Sequence, residues 1–246
     1  MTLSNKTSRM RIFAGPNGSG KSTIKSLIKP GLLGIYINPD DIEAEIKRSG
    51  FLDLKDYGVM TESAEILGFF RNSSLLEKAD LLLEAEALSF KDNKLSFFEV
   101  DINSYFASVA ADFIRQKMLF SRQSFTFETV MSAPDKVKFL AKAQKADYRT
   151  YLYFIATNNP IINISRVKNR VKEGGHDVPE EKIVSRYYRC LDLLFEAVKN
   201  TNRAYIFDNS EAKVRWIAEI TDAETIEIKD LNIPTWFDKY ILSKIT

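Results

Sequence analysis

Residues 15–23 of this 246-residue chain read GPNGSGKST and match the pattern G-x-x-x-x-G-K-[ST] at every fixed position. In such a loop the backbone N–H groups converge on a nucleotide phosphate, and the following helix presents its positive end. Lys21 would supply charge to the β- and γ-phosphate oxygens, and the Ser22 hydroxyl would ligate Mg²⁺. The pattern predicts a phosphate-binding loop (P-loop) for ATP and Mg²⁺ rather than a ligand-free turn. Its predicted nucleotide-binding residues are Gly15, Pro16, Asn17, Gly18, Ser19, Gly20, Lys21, Ser22 and Thr23.

A carboxylate pair follows in the segment Asn38-Pro39-Asp40-Asp41, where a predicted strand ends and a helix begins. These residues could simply cap the helix, because Asn and Asp accept hydrogen bonds from its free amides. Alternatively, a carboxylate at the carboxyl end of the sheet could take a proton from a substrate hydroxyl. Successive helical residues lie about 100° apart, so only one of the two aspartates can face the same ligand.

A second acidic position stands at the end of the predicted strand in SFTFETVMS, at Glu128-Thr129. Glutamate is uncommon in strands without a specific reason. Glu128 could hold the water shell of Mg²⁺ or a substrate hydroxyl, and Thr129 would lie beside it. The alternative is a glutamate that caps the next helix.

Arginines flank the Gly174–Gly175 turn: Arg166, Arg170, Arg186 and Arg189. The segment 166–189 contains 7 basic and 4 acidic residues. Two helices joined by a glycine turn, with arginines on both, are typical of a lid that neutralises a transferring phosphoryl group and excludes water. Ordinary solvated helix surface is the alternative. His176, in the turn, either contacts a ligand or is an exposed loop residue.

The elements that must position these residues alternate between strand and helix. The predicted strands are 10–14, 34–38, 124–127, 151–156 and 204–207. The predicted helices are 21–28, one from Pro39, helical spacing over 61–90, 103–119, 135–145, 160–172 and 179–198. This order predicts an α/β fold with a five-stranded parallel sheet covered on both faces. Strands over 214–220 and 225–228 predict a terminal hairpin, and Pro234 a short final helix.

Composition limits the function classes. The net charge is +2, from 35 basic and 33 acidic residues, which argues against wrapping long nucleic acid. Residues 51–102 hold 11 acidic and 5 basic residues and are predicted to be an acidic, mainly helical insertion in a single domain over 1–246. The single cysteine excludes an internal disulfide and a cysteine-based zinc site, and the single histidine leaves little for His-based sites. No apolar run reaches membrane-spanning length and no signal peptide is recognisable, so a cytoplasmic protein is expected.

Four segments together resemble the zeta-toxin family of P-loop kinases: GPNGSGKST (15–23), INPDDI (37–42), FTFETVMS (125–132) and RVKNRVKEGGHDVPEEKIVSRYYR (166–189). The resemblance covers roughly residues 9–210. The combination of N-x-D with a G-G-H-x-V-P lid is more specific than the P-loop alone. It implies a five-stranded parallel sheet, with the catalytic base on Asp40, the lid arginine on Arg170 and the substrate-contacting acid on Glu128.

The resemblance further implies ATP-dependent phosphorylation of a hydroxyl, with a UDP-amino sugar such as UDP-N-acetylglucosamine as the substrate class, and a cognate antitoxin as a partner. The chain departs from the family pattern at the insertion, at Thr129 and at His176. Lys21, Asp40 and Arg170 are the expected catalytic residues. The expected substrate-binding residues are Asp40, Glu128, Thr129, Arg166, His176 and Arg186. A kinase acting on nucleotides or nucleic-acid ends, and an ATP-dependent protein-binding module, remain as alternatives.

Overall fold

The computed structural model describes residues 7–175 and 177–245. They form two compact parts. The P-loop part comprises the described residues up to Gly34 and from Thr126 onward, and the inserted part comprises Ile35–Phe125. The predicted acidic insertion at 51–102 falls within the inserted part. The assignment of residues 1–246 to one domain stays a prediction.

Ten strands and thirteen α-helices occur along the described chain. The strands are β1 (Arg9–Ala14), β2 (Ile35–Ile37), β3 (Phe51–Asp53), β4 (Ser89–Lys91), β5 (Lys94–Ser96), β6 (Phe125–Thr129), β7 (Arg149–Ala156), β8 (Arg203–Asp208), β9 (Arg215–Thr221) and β10 (Thr225–Ile228). The helices are α1 (Lys21–Leu27), α2 (Pro30–Leu33), α3 (Pro39–Ser49), α4 (Ser63–Arg71), α5 (Ser74–Glu77), α6 (Leu82–Glu86), α7 (Ser104–Phe120), α8 (Pro134–Lys145), α9 (Pro160–Lys172), α10 (Glu180–Asp192), α11 (Leu194–Lys199), α12 (Thr235–Phe237) and α13 (Ser243–Ile245). A short 3₁₀ turn spans Leu54–Tyr57, and a π-helical turn spans Asp238–Leu242.

The sheet of the P-loop part places its strands in the order β10-β9-β8-β7-β1-β6, with β10 outermost. Strand β1 pairs with β7, and β7 with β8, in parallel. The predicted terminal hairpin forms, but it is not separate from the sheet, because β9 pairs antiparallel with β8. The α/β class with a mainly parallel sheet is confirmed. The strand count exceeds five because the hairpin extends the same sheet.

Burial explains why the central strands are apolar. In β7 the residues from Leu152 to Ala156 are apolar and inaccessible or nearly so, as expected for a strand covered on both faces. Strand β8 instead alternates between half-buried and buried residues. The carboxyl ends of this buried parallel centre carry the P-loop and the polar segments after β7 and β8.

The inserted part is less helical than the sequence predicts. Three separate helices, α4, α5 and α6, replace the predicted helical stretch 61–90, and β4 begins before that stretch ends. Strands β3, β5 and β4 form a second, antiparallel sheet. The β4–β5 hairpin has a local cause: Asp92 and Asn93 have φ of 54° and 65°, the left-handed values that a two-residue hairpin turn requires.

Around the predicted lid, the helices begin and end where local signals place them. Helix α9 spans Pro160–Lys172 as predicted, because the Asn159 side chain accepts from the Ile161 N–H and Pro160 occupies the first turn. The predicted helix 179–198 is divided at Leu193 into α10 and α11. Pro234 precedes α12, so the short C-terminal helix is present.

Candidate functional site

The P-loop joins β1 to α1 and takes its shape from positive backbone angles. Gly18 and Gly20 have φ of 74° and 100°, values that residues with a side chain rarely adopt. Gly20 is the residue before α1, so the helix starts at Lys21. The Ser22 and Thr23 side chains in the first turn are exposed. The predicted strand–loop–helix unit is present.

Lys21 is buried over this loop, with 9% of its surface exposed. Its Nζ donates to the carbonyl oxygens of Gly15 at 2.9 Å and Pro16 at 3.2 Å. The same Nζ lies 3.9 Å from Oε1 of Glu128. The ammonium group is thus held between the loop backbone and one carboxylate, which brings two predicted site residues together.

Glu128 and Thr129 form the carboxyl end of β6, next to β1 in the sheet order. Glu128 is half-buried, and its contact with Lys21 fits a carboxylate that faces the P-loop. The Thr129 hydroxyl accepts from the Met131 N–H at 3.1 Å. Met131 has a φ of 56°, so this bond shapes a tight turn after the strand. A substrate contact by Thr129 stays a prediction.

Two buried asparagines hold the P-loop backbone, and the sequence analysis missed both. Asn163 of α9 donates from Nδ2 to the Asn17 carbonyl at 2.6 Å. Asn209, directly after β8, donates from Nδ2 to the Ser19 carbonyl at 2.8 Å. The polar run Asp208-Asn209-Ser210 at a strand's carboxyl end is a signal that could have identified Asn209, because ligands of α/β sheets bind at that edge. No comparable signal marks Asn163 within its helix.

The predicted lid consists of α9 and α10, which pack through Val167, Val178 and Ile183. On α10, Arg186 Nη1 lies 3.4 Å from Oδ1 of Asn17, so one predicted arginine reaches the P-loop. On α9, Nη1 of Arg166 is buried and finds no hydrogen-bond partner among the described residues. A charged donor in that state is suited to an anion.

Arg170 lies near the carboxyl end of α9, against the glycine turn. The Gly175 N–H donates to the Arg170 carbonyl at 2.9 Å, and a β-carbon at Gly175 would come within 2.6 Å of Arg170 Cγ. The turn therefore packs closely on the arginine stem. The role of Arg170 toward a phosphoryl group stays a prediction. His176 lies outside the described residues.

Asp40 and Asp41 occupy the first turn of α3 in the inserted part, and both are exposed. The Asn38 side chain accepts from the Asp40 N–H at 3.1 Å, which is the capping arrangement expected from the sequence. The Asp40 carboxylate is therefore not needed to cap the helix. The choice of Asp40 as the base stays a prediction.

Two titratable groups beside the site are kept neutral by burial. The Tyr187 hydroxyl donates to the Thr157 carbonyl at 2.5 Å, and burial raises the pKa of Tyr187. The Cys190 thiol donates to the Val130 carbonyl at 2.9 Å. Burial raises the pKa of the Cys190 thiol, and the nearby charge of Lys21 offsets this only in part. Neither group is a nucleophile in this state.

In the described part of the chain, no three His, Cys, Asp or Glu side chains are grouped so as to hold a metal ion by themselves. A Mg²⁺ site here would need oxygen ligands from a bound phosphate, as is usual for this ion. Ser22 is exposed and directly follows Lys21, and its role as a Mg²⁺ ligand stays a prediction. The arrangement can hold a phosphate chain by backbone amides and neutralise its charge with Lys21 and Arg186.

The zeta toxin family model matches residues 100–221 of this chain. The resemblance inferred from the motifs is therefore confirmed. The matched range contains Glu128, Arg166, Arg170 and Arg186, whereas residues 15–23 and 37–42 precede it. A protein of Haemophilus influenzae described as uncharacterized is 32% identical over 63 residues, which are 26% of this chain and 45% of that protein.

Solved structures of similar fold include two complexes of AvrRxo1-ORF1 with AvrRxo1-ORF2. The complex with sulphate ions gives a TM-score of 0.58 at 13% identity, covering 96% of this chain and 64% of that chain. The complex with ATP gives 0.56 at 13% identity with the same coverage. The PezAT toxin–antitoxin system of Streptococcus pneumoniae gives 0.54 at 14% identity, covering 98% and 80%. At these identities the likeness establishes the fold. This chain spans less than two thirds of the AvrRxo1 chains and less than half of the Haemophilus protein.

Within residues 7–175 and 177–245, no helix is both long and apolar enough to cross a membrane.

Proposed function

We propose that the chain, whose residues 100–221 match the zeta toxin family model, is an ATP-dependent kinase. It transfers the γ-phosphate of ATP to a hydroxyl of a small molecule. The family match and the fold shared with an ATP complex and a toxin–antitoxin system support this proposal.

The observation that carries the proposal is the environment of Lys21. Its ammonium lies 2.9 Å from the Gly15 carbonyl and 3.9 Å from the Glu128 carboxylate. A buried cation in a glycine loop at the carboxyl edge of a parallel sheet is suited to the β- and γ-phosphates. A glycine turn without a ligand would give no reason to bury a lysine there, because burying an ammonium group is costly.

ATP would be held by residues 15–23, with Ser22 as the protein ligand of Mg²⁺. The ion would neutralise charge on the β- and γ-phosphates. Lys21 and Arg170 would stabilise charge that develops on the transferring phosphoryl group, and Asp40 would take the proton of the attacking hydroxyl. Arg166 and Arg186, on facing helices of the lid, would contact anionic groups of the substrates.

The acceptor we propose is a sugar nucleotide of the UDP-amino sugar class, such as UDP-N-acetylglucosamine, on the resemblance alone. Glu128 and Thr129 would contact its hydroxyls, and His176 would approach it from the lid turn. A nucleotide acceptor is the nearest alternative, because the same arginines would bind its phosphates. Long nucleic acid is disfavoured by the balanced charge of the chain.

A partner protein is a second element of the proposal. The AvrRxo1 structure contains two proteins, ORF1 and ORF2. The PezAT structure is described as a toxin–antitoxin system. By analogy this chain would bind a cognate antitoxin. If the chain consumed ATP without a phosphorylated acceptor, an ATP-dependent protein-binding module would become the better proposal. A cytoplasmic location stays a prediction.

The test is incubation with γ-labelled ATP, Mg²⁺ and a panel of sugar nucleotides and nucleotides, followed by mass spectrometry. We expect one acceptor class to gain a phosphate. Lys21→Ala should abolish the transfer, with a loss on the order of 10³ or more. Lys29→Ala, which removes an exposed lysine outside the loop, is the matched control and should retain activity. ATP consumption that Lys21→Ala leaves unaltered would refute the P-loop assignment.

A further inference from the structure

The starting observation is that the P-loop is held by two side-chain amides from distant segments. Asn163 is inaccessible to solvent and Asn209 is 8% exposed. Asn163 lies 146 residues after the loop residue whose carbonyl it binds, and Asn209 lies 190 residues after its own. Both donate to loop carbonyls, those of Asn17 and Ser19. Two buried side-chain amides thus bind alternate peptide groups of one short loop. This arrangement indicates that the orientation of these peptide groups matters.

The Asn163 amide is itself oriented. The Thr157 hydroxyl donates to its Oδ1, so Nδ2 must point to the loop. The Thr157 carbonyl in turn accepts from Tyr187. A chain of hydrogen bonds therefore runs from α10 through the end of β7 to the Asn17 carbonyl.

The Asn209 amide is fixed from its backbone. The Asn209 N–H donates to the Ala156 carbonyl at 2.8 Å, which locks the residue against the end of β7. A β-carbon at Gly20 would come within 2.2 Å of Asn209 Nδ2, and one at Gly18 within 2.5 Å of the Asn163 carbonyl oxygen. Each asparagine thus lies in close contact with one of the loop glycines.

Peptide geometry gives these contacts a consequence. A trans peptide group is planar, and its C=O and N–H point in opposite directions. The Asn17 carbonyl shares a peptide group with the Gly18 N–H, and the Ser19 carbonyl shares one with the Gly20 N–H. When the asparagines hold the two carbonyls, the Gly18 and Gly20 N–H groups must point away from the asparagines.

We propose that Asn163 and Asn209 are positioning residues that aim the Gly18 and Gly20 N–H groups at the nucleotide phosphates. This inference rests on the proposed function, since it takes ATP as the ligand of the loop. The donors are then oriented before ATP arrives, and binding does not have to order them. Neither asparagine touches the phosphates itself.

The experiment compares Asn163→Ala and Asn209→Ala with a matched control, Asn202→Ala. Asn202 also makes several side-chain hydrogen bonds in the P-loop part, accepting from the Thr150 N–H and hydroxyl and donating to Asp222. It is placed at the amino ends of β7 and β8, away from the loop. Affinity for ATP is measured by calorimetry, thermal stability by unfolding, and exchange of the Gly18 and Gly20 amide hydrogens by NMR without nucleotide.

We expect each loop variant to bind ATP about tenfold more weakly, as one lost oriented donor predicts, and the double variant more weakly still. Exchange at Gly18 in the first variant and at Gly20 in the second should accelerate. Asn202→Ala should lose thermal stability with an unchanged Kd. If an alanine variant does not fold, Thr157→Val tests the same path by releasing the Asn163 amide, with a few-fold loss expected.

An ATP affinity within twofold of wild type in both variants would overturn the inference, and so would an equal loss in Asn202→Ala. Wild-type protein that binds no ATP would overturn the proposed function instead. In that case the exchange rates at Gly18 and Gly20 still decide whether the asparagines hold the loop: unchanged rates would reject even that.

Discussion

Buried asparagine amides hold a loop in each part of the molecule, but they hold different backbone groups. In the P-loop part, Asn163 and Asn209 donate to carbonyls of the loop. In the inserted part, Asn93 donates from Nδ2 to the Val59 carbonyl at 2.7 Å, and its Oδ1 accepts from the Thr61 N–H at 3.3 Å. One amide therefore satisfies both a donor and an acceptor of the segment 59–61.

The difference separates a binding loop from a structural one. Asn93 binds a carbonyl and an N–H, which closes the segment 59–61 on the protein itself. At the P-loop, Asn163 and Asn209 bind only carbonyl groups of the loop. The N–H groups of the same peptides therefore point away from the asparagines. When side-chain amides bind only the carbonyls of a glycine loop, the N–H groups of that loop are left to bind a ligand.

The largest expected loss of activity comes from a change in the inserted part, in helix α3 rather than in the segment 59–61. Asp40→Asn keeps the size of the side chain but cannot accept a proton. Phosphoryl transfer should fall by on the order of 10²–10⁴ while ATP binds normally. Turnover and ATP affinity measured side by side check this.

Asp41→Asn is the matched control for that variant, because Asp41 is equally exposed in the same helical turn. It should stay within a few-fold of wild type. An active Asp40→Asn enzyme, or a larger loss in Asp41→Asn, would remove Asp40 as the base and restrict the chemistry to the P-loop part.

A smaller loss is expected at the lid. Arg170→Ala should lower turnover about a hundredfold and ATP affinity much less, because its charge would meet a phosphoryl group in the transition state. Steady-state kinetics and calorimetry separate the two quantities. Lys182→Ala, on the exposed surface of α10, should change neither. Equal losses in turnover and affinity would show that Arg170 binds ground-state phosphate only.

Asn93→Gly tests the comparison directly. Glycine tolerates the φ of 65° at this position, so the variant removes the amide without straining the hairpin. The free energy of unfolding should fall by about 2 kcal/mol, because a buried carbonyl and N–H lose their partner. The ATP affinity should be unchanged. A loss of ATP affinity in this variant would mean that the segment 59–61 also contributes to nucleotide binding.

The smallest effect is expected at Cys190, whose thiol donates to the Val130 carbonyl. A thiol is a weak donor, so Cys190→Ala should cost about 1 kcal/mol or less of unfolding free energy apart from the lost packing volume. The Kd for ATP should remain within twofold, measured by the same calorimetry. A tenfold loss would place this turn among the determinants of the nucleotide site.

The sequence predicted an element correctly where the residues that determine it lie close to it in the chain. Asn159 with Pro160 begins α9, and Asn103 begins α7 by accepting from the amides of Tyr105 and Phe106. These signals lie within three residues of their effect, and the corresponding helices were correctly located. The P-loop itself is also a local pattern, which is why its strand and helix were found.

The sequence-based predictions failed for two reasons. One local signal was overlooked, and two contacts join residues that are distant in the chain. The Asp92-Asn93 turn is a hairpin signal in two residues, and the helical interpretation of the preceding residues 61–90 did not consider it. Asn163 and Asn209 act on residues far away in the chain, so no window of sequence contains both partners. The roles of Asp40, Arg170 and Glu128 were assigned from family motifs and stay predictions.

Strand β10 has a consequence for how copies of this protein meet. As the outermost strand of the sheet, it offers one side of its backbone to any other strand that could pair with it. Its sequence, Thr-Ile-Glu-Ile, is short and β-prone, but exposed Glu227 stands in its middle and pairs with Lys229. Two such edges aligned antiparallel with Glu227 opposite Glu227 would bring like charges together, which disfavours that register. A single carboxylate thus works against edge-to-edge aggregation, the hazard created when the terminal hairpin extends the sheet.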